Sequence, residues 1–139
     1  MATTRSATTT WQGTLLEGHG EVTLNSSQLG TYPVTWAARS EEANGKTSPE
    51  ELIAAAHASC FSMAFSSGLA KAGHPVKHLT TNAEVDFVPG TGITEIRLTV
   101  SGEAEGLDAA GFAEAAETAK VNCPVSKALS AVPIQLTIQ

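Results

Sequence analysis

The side chains that could carry chemistry in this sequence are its two cysteines, Cys60 and Cys123. A cysteine reacts as its thiolate, and the thiol pKa falls beside a cation or at the N-terminal end of a helix. Cys123 precedes Pro124 and so occupies the position of a helix N-cap, which favours it as the more acidic thiol. Cys60 lies within a long apolar segment, where a free cysteine usually packs as a small hydrophobic side chain. Local chemistry therefore leaves open which thiol attacks first.

A second pair of residues, Arg39 and Glu50, could act on Cys60. Because a cysteine in mid-helix gains nothing from the dipole, Cys60 needs an external cation, and Arg39 is the natural supplier. An ordinary surface arginine at a strand end is the simpler interpretation. Glu50 lies about 15 Å from Cys60 along a straight helix, so it reaches Cys60 only through Arg39, a bend or a second chain. Alternatively, Glu50 only stabilises the helix dipole.

His57 lies one turn before Cys60 on the same helical face. Such a pair could be a nucleophile and its base, or part of a metal site. No Cys-x-x-Cys or His-x-x-x-His pattern accompanies it, and no glycine-rich phosphate loop occurs, so we expect neither a metal nor a nucleotide. The other interpretation is a half-buried histidine that donates a hydrogen bond to a neighbouring group.

A long helix from Pro49 to Ala72 is predicted to position these residues. Ser48 as N-cap and Glu51 three residues later form a capping box, and Gly73 ends the helix. The segment is apolar on every side, which predicts a buried helix. Polar residues interrupt it too often for a membrane span.

Alternating strand patterns surround this helix. We predict strands from Trp11, over 21–24 and over 32–38 before it, then a hairpin of 76–88 with 93–102, helices over 108–121 and 124–130, and a strand over 134–138. The order βββ-α-ββ-α-α-β indicates an α+β fold with antiparallel sheets.

Length and composition predict a single domain over residues 11–139, preceded by a flexible arm of residues 1–10. The 139 residues carry a formal net charge of −6 with only eight Lys and Arg, so neither nucleic acid nor an anionic membrane is an expected partner. The N-terminus lacks the apolar segment of a signal peptide, which predicts a cytoplasmic protein. An all-apolar helix needs more cover than this chain supplies, so we predict a homodimer with the helix near its interface.

Several segments together resemble the OsmC/Ohr family, the osmotically inducible and organic-hydroperoxide-resistance thiol peroxidases. They are Thr47–Leu52, Ala54–Ala64 and Asn122–Ser126, which contain both cysteines in the family's order. The opening Trp11-Gln12-Gly13 and the Ala-Ala-His-Ala-x-Cys-Phe-Ser-Met version of the motif are more similar to the OsmC branch. The resemblance covers nearly the whole chain after the arm, and it implies an intertwined homodimer with its sites at the interface.

The resemblance implies a cysteine-based peroxidase that reduces organic hydroperoxides and, more weakly, hydrogen peroxide. By position, Cys60 becomes a sulfenic acid and Cys123 resolves it to a disulfide, which a thiol reductant reopens. In the Ohr branch that reductant is of the lipoyl type. Arg39 matches the arginine that holds the thiolate and orients the peroxide, and Glu50 matches its glutamate partner. We expect a second subunit to deliver both, at least in part, and no cofactor is required.

Two other functions remain compatible with these residues. One is a dimer of the same fold that binds a small molecule or lipid and uses its cysteines only for packing. The other is a cysteine hydrolase built on Cys60 and His57, although no oxyanion loop is evident. Conversion of two thiols per chain into one disulfide by peroxide would distinguish the peroxidase.

Overall fold

Residues 1–49 fold around an antiparallel meander in the strand order β1-β2-β3. The computed structural model describes residues 1–139 and places these strands at β1 Ala7–Gln12, β2 His19–Leu24 and β3 Thr31–Val34. β1 begins at Ala7 rather than Trp11, so residues 7–10, which we predicted in the arm, pair with β2. Every residue of β1 is exposed, which explains why the strand has no apolar alternation to reveal it.

A short helix, α1 (Trp36–Ser40), replaces the second half of the predicted third strand. Thr35 is its N-cap, and the Thr35 hydroxyl accepts a hydrogen bond from the Ala38 N–H at 3.1 Å. This cap satisfies the Ala38 N–H, which in a strand would instead bond to a neighbouring strand. Arg39 therefore lies in the last turn of α1 and not at a strand end.

Residues 50–139 form a second compact unit, built on a three-stranded sheet in the order β4-β5-β6. Its elements are α2 Pro49–Lys71, β4 Val76–Val88, β5 Gly92–Ala104, α3 Ala109–Asn122, α4 Pro124–Ala128 and β6 Ile134–Ile138. The predicted α+β class is confirmed, with α1 added to the order. The sheet is mixed rather than antiparallel throughout, because β6 runs parallel to β5. The connection through α3 and α4 is the crossover that a parallel pair needs.

The long helix α2 begins and ends close to its predicted limits. At its C-terminus Gly73 adopts φ +86°, a left-handed conformation that suits glycine. The His74 N–H donates to the Leu69 carbonyl at 2.8 Å, and the Gly73 N–H donates to the Ala70 carbonyl at 3.1 Å. These two bonds form a Schellman motif, which ends the helix.

One stripe of α2 is buried, the residues beside it are partly covered, and the remaining surface of the helix is exposed. The buried residues are Glu50, His57, Phe61, Phe65 and Leu69. Phe61, Phe65 and Leu69 pack in one core with Leu98 and Val100 of β5 and with Phe112 of α3, whose ring centroid lies 5.0 Å from that of Phe65. Met63, on another face, is 71% exposed. The prediction of a helix buried on every side is therefore not met by one chain alone.

By length and composition alone, α2 could also cross a bilayer, because its 23 residues contain a window of mean hydropathy 1.4. The core helix of a globular protein can pass the same test, and the buried stripe of α2 packs on β5 and α3. Only 22% of the window is buried, so most of this apolar surface is free to contact a partner.

The opposite face of the sheet carries charged side chains around Arg97. The Arg97 guanidinium donates to both carboxylate oxygens of Asp86 at 2.7 Å and to Glu95 at 2.8 Å. Glu84 lies 3.6 Å from the same guanidinium. This face is therefore polar, whereas Ile96, Leu98 and Val100 of β5 are fully buried on the helix side.

Candidate functional site: a buried thiol pair

The structure brings the two cysteine side chains together from different helices. Cys60 lies in α2, and Cys123 is the residue between α3 and α4. Both cysteines are free, Cys60 packs against the core cluster that contains Cys123, and each thiol affects the pKa of the other. Cys123 is 0% exposed, whereas Cys60 is half-buried. A molecule that enters from solvent therefore meets the Cys60 sulfur first.

The position of Cys123 follows from the proline beside it. Pro124 lacks an N–H and cannot continue α3, but it fits the first position of α4. The Cys123 N–H donates to the Ala119 carbonyl at 2.8 Å, and the Cys123 carbonyl accepts from Lys127 at 3.0 Å. Both helices thus hold the backbone of Cys123, which fixes where its sulfur lies.

The Cys60 thiol is difficult to ionise in the single chain. Burial raises the pKa of Cys60 above its ordinary value, because the thiolate loses its solvation by water. The Val125 N–H opposes this effect, and the neighbouring Cys123 raises the pKa further. Cys60 therefore needs an additional cation if it is to react as a thiolate near neutral pH.

The Cys123 thiol is the more acidic of the two. Burial acts to raise its pKa, but the donors around the sulfur outweigh burial and leave the pKa below its ordinary value. These donors are the Ser126 N–H, the Ser126 hydroxyl, the Cys60 S–H and the Val125 N–H. The Cys123 sulfur makes no capping hydrogen bond to α4, so these nearby groups favour the thiolate through the electrostatic attraction of their hydrogens. The direction agrees with the sequence argument for Cys123.

His57 contacts Ser126 rather than acting as a base on Cys60. Its Nε2 lies 2.7 Å from the Ser126 hydroxyl, and both residues are buried, at 0% and 6% exposure. Its Nδ1 has no hydrogen-bond partner. Burial lowers the pKa of His57, which favours the neutral ring. A hydrolase that uses Cys60 and His57 as nucleophile and base is therefore not supported.

Ser126 is the residue of this site that sequence reasoning missed. In the sequence it stands only as the last residue of the Asn122–Ser126 segment. Its only signal in the sequence is its position one turn after Cys123, which places both side chains on the same side of a short helix. Its second partner, His57, lies far away in the sequence and is found only in the structure.

The structure does not bring Glu50 to Cys60. Both residues belong to one continuous helix, so the rise per residue separates them by about 15 Å along its axis. Glu50 is only 6% exposed, an unusual burial for a carboxylate. Arg39 belongs to the first unit and is half-buried in α1. The roles of Arg39 and Glu50 at the thiol pair stay predictions.

An apolar groove of about 370 Å³ runs between α2 and α3. Its lining includes Ala64, one turn beyond Cys60, and Asn122, adjacent to Cys123. Leu69, Leu107 and Ala115 supply much of its apolar wall. No group of three or more His, Cys, Asp or Glu side chains in the chain is arranged to hold a metal ion. The distinctive chemistry of this unit is therefore that of two thiols beside an apolar groove.

Comparison with known proteins agrees with this arrangement. The profile of the family described as OsmC-like protein matches residues 42–138. Peroxiredoxin OsmC of Escherichia coli (strain K12) is 40% identical over 124 residues, which cover 87% of this chain and 86% of that protein. Peroxiredoxin OsmC of Shigella flexneri matches with the same identity and coverage.

Solved structures share the fold at lower sequence identity. The organic hydroperoxide resistance protein OhrB of Bacillus subtilis superposes with a TM-score of 0.71 at 21% identity, covering 96% of this chain and 98% of that one. An organic hydroperoxide resistance protein from Elizabethkingia anophelis gives a TM-score of 0.72 at 22% identity, covering 100% and 99%. At these identities the likeness establishes the fold alone.

Proposed function

Because this chain belongs to the OsmC family, we propose that it reduces organic hydroperoxides with Cys60, through a sulfenic acid and a Cys60–Cys123 disulfide. The class of enzyme, a thiol peroxidase, follows from 40% identity to Peroxiredoxin OsmC over 87% of the chain. The observation that carries the proposal is that two free thiols from separate parts of the chain pack at one core and affect each other's pKa. Two such thiols are what formation of an internal disulfide requires.

The reaction runs in three steps. The Cys60 thiolate attacks the terminal peroxide oxygen, the O–O bond breaks, and the alcohol leaves after taking a proton. The Cys123 thiolate then attacks the Cys60 sulfenic sulfur; an S–S bond forms and the hydroxide leaves as water. A dithiol reductant finally exchanges the disulfide open and is itself oxidised. We infer that this reductant is of the lipoyl type.

The choice of Cys60 as the attacking residue rests on access. Cys123 is the more acidic thiol, but it is fully buried, whereas Cys60 is half-buried and can be reached by a peroxide. Burial raises the pKa of Cys60, so the proposal requires a cation beside its sulfur. We assign that cation to Arg39, which also orients the peroxide, and assign Glu50 to holding Arg39.

A second copy of the chain completes the site in this proposal. The part of α2 around Met63 is exposed and apolar, and an isologous homodimer would cover it. Such a dimer would also deliver Arg39 and Glu50 from the other subunit, which would overcome the long separation of Glu50 from Cys60 along α2. We therefore propose a homodimer with α2 at its interface.

The groove between α2 and α3 supports an organic substrate. It begins within one turn of Cys60, and its lining is rich in alanine, leucine and glycine. Apolar walls contribute binding energy to an alkyl or aryl group and none to hydrogen peroxide. We infer that hydrogen peroxide is the weaker substrate. We also place the protein in the cytoplasm, where thiol reductants keep cysteines reduced.

The experiment that tests the function is turnover of cumene hydroperoxide with a dithiol donor by Cys60→Ser and Cys123→Ser variants. Cys60→Ser should abolish turnover, whereas Cys123→Ser should consume one equivalent of peroxide and then stop at an oxidised Cys60. Titration of the wild-type chain should show two thiols lost for one disulfide formed. Unchanged turnover in Cys60→Ser would refute the proposal. A wild-type chain that neither turns over peroxide nor loses thiols would instead leave a ligand-binding dimer as the better account.

Arg39 has its own test within the same assay. Arg39→Ala should slow the first step severely, and Arg39→Lys should restore part of it, because a lysine keeps the charge without the planar pair of donors. Arg5, in the exposed N-terminal segment, provides the matched control as Arg5→Ala. Equal rates for Arg39→Ala and Arg5→Ala would remove Arg39 from the mechanism.

A further inference from the structure

We propose that His57 and Ser126 form a buried donor relay that prepares Cys123 to attack the Cys60 sulfenic acid. The relay is the chain of groups from the His57 ring through the Ser126 hydroxyl to the Cys123 sulfur. His57 and Ser126 would be positioning residues, since neither touches the peroxide. The inference rests on the proposed function, because it assigns these residues to the second step of that reaction.

The first part of the relay is a short contact between α2 and α4. The His57 Nε2 and the Ser126 Oγ lie 2.7 Å apart, with the ring fully buried and Ser126 only 6% exposed. His57 lies one turn before Cys60 in α2, and Ser126 lies one turn after Cys123 in α4. Burying this polar pair costs desolvation, which their mutual hydrogen bond offsets in part.

The unpartnered ring nitrogen indicates how the protons are arranged. A neutral histidine has one N–H donor and one acceptor nitrogen. The Nδ1 of His57 is buried without a partner, and a buried donor left unsatisfied is rarer than an unsatisfied acceptor. The proton is therefore placed on Nε2, which donates to the Ser126 oxygen. The Ser126 hydroxyl is then left with its own hydrogen to donate elsewhere.

In the relay, the Cys123 sulfur accepts that hydrogen, because Ser126 lies one turn after Cys123 on the same side of α4. Ser126 acts on Cys123 through both its N–H and its hydroxyl, and both interactions favour the thiolate. Cys60 of α2 is the titratable group that acts on Cys123, whereas His57, also of α2, contacts Ser126. A neutral His57 adds no charge of its own, so its effect on Cys123 passes through the direction of the Ser126 hydroxyl.

The relay acts on one step of the reaction, the formation of the disulfide. The Cys123 S–H proton leaves, the thiolate forms an S–S bond to the Cys60 sulfenic sulfur, and the S–O bond breaks. The departing hydroxide takes up one proton and leaves as water, so no external oxidant or reductant is needed. By donating a hydrogen bond to the Cys123 sulfur, the Ser126 hydroxyl stabilises the thiolate before the attack.

The closing experiment measures this step separately from peroxide reduction. Ser126→Ala removes the hydroxyl, Ser126→Thr keeps it, and Ser62→Ala removes another hydroxyl that bonds Thr81 at 2.8 Å instead. One equivalent of cumene hydroperoxide is mixed with each reduced variant, and sulfenic acid and disulfide are followed by rapid quenching and mass spectrometry. A second measurement follows the ultraviolet absorbance of the Cys123 thiolate against pH in the Cys60→Ser background.

At pH values below the pKa of Cys123, we expect Ser126→Ala to lower the thiolate fraction of Cys123 about tenfold. This is the effect of losing one hydrogen bond to a charged group. Disulfide formation should slow by only about threefold, because a more basic thiolate is also a better nucleophile. Sulfenic acid should still form at the wild-type rate, and Ser126→Thr should recover the second step. His57→Met should behave like Ser126→Ala, whereas His57→Gln keeps an N–H donor and should retain more of the wild-type rate.

The possible results separate this inference from the proposed function. Wild-type disulfide formation and a wild-type Cys123 thiolate titration in Ser126→Ala, or an equal loss in Ser62→Ala, would overturn the relay while leaving the peroxidase intact. Failure of the wild-type chain to form a sulfenic acid would instead refute the peroxidase. If Ser126→Ala does not fold, the comparison of His57→Met with His57→Gln decides, and equal rates for those two would overturn the relay.

Discussion

Replacing Met63 by alanine tests the idea that a second copy of the chain covers α2. Met63 is 71% exposed in the single chain and lies among Ser66, Ser67 and Ala70, which are exposed on the same helix. Complete burial of a methionine side chain is worth about 1.5–3 kcal/mol, so covering the exposed part gains about 1–2 kcal/mol per copy. An isologous dimer contains two copies of the contact, so Met63→Ala should weaken it by about 2–4 kcal/mol.

This loss corresponds to an increase in the dimer dissociation constant of about 30- to 700-fold. Sedimentation velocity over a range of concentrations measures that constant for the wild type and the variant. Leu29→Ala is the matched control, since Leu29 is 76% exposed but lies in a loop of the first unit. We expect Leu29→Ala to leave the constant unchanged.

Two results would refute this reasoning. A wild-type chain that sediments as a single 14.3 kDa species at micromolar concentration would show that α2 is not covered by a second copy. A dimer that Met63→Ala does not weaken would show that the contact lies on another surface. Peroxidase activity measured in the same samples would tell whether the dimer is needed for turnover, as delivery of Glu50 and Arg39 from the other subunit requires.

Further outcomes are expected for stability. Phe65→Ala should lower the free energy of unfolding by about 3–5 kcal/mol in urea denaturation, because it empties the centre of the core, whereas the exposed Val121→Ala should change it by less than about 0.5 kcal/mol. Arg97 lowers the pKa of Asp86 in the folded state. The ionised carboxylate therefore stabilises the fold at pH values above its unfolded-state pKa, and this stabilisation is lost as the pH falls through its folded-state pKa. Asp86→Asn should weaken the pH dependence of the melting temperature below about pH 4. Burial lowers the pKa of His57, so unfolding binds a proton there and stability should fall below about pH 6.5, less steeply in His57→Gln; an unchanged slope would contradict the burial of a neutral ring.

Most of the elements could be predicted because their signals are local. The start of α2 at Pro49, its end at Gly73, the Asp108 cap of α3 and the alternation in β5 are each specified by residues within one or two turns. The strand β1 and the helix α1 were missed for the same reason. β1 has no buried side to impose an alternation, and α1 depends on the Thr35 cap within a segment that also alternates like a strand.

Within the candidate site, the sequence by itself determined the two cysteines, the proline that places Cys123 between α3 and α4, and the family. Only the tertiary structure decided that the two thiols meet, that His57 turns to Ser126, and that α2 is covered on one stripe alone. The physical reason is that a sequence pattern specifies which face of an element is apolar or polar. Which other element packs on that face, and which side chains then become neighbours, is set by burial across the whole core.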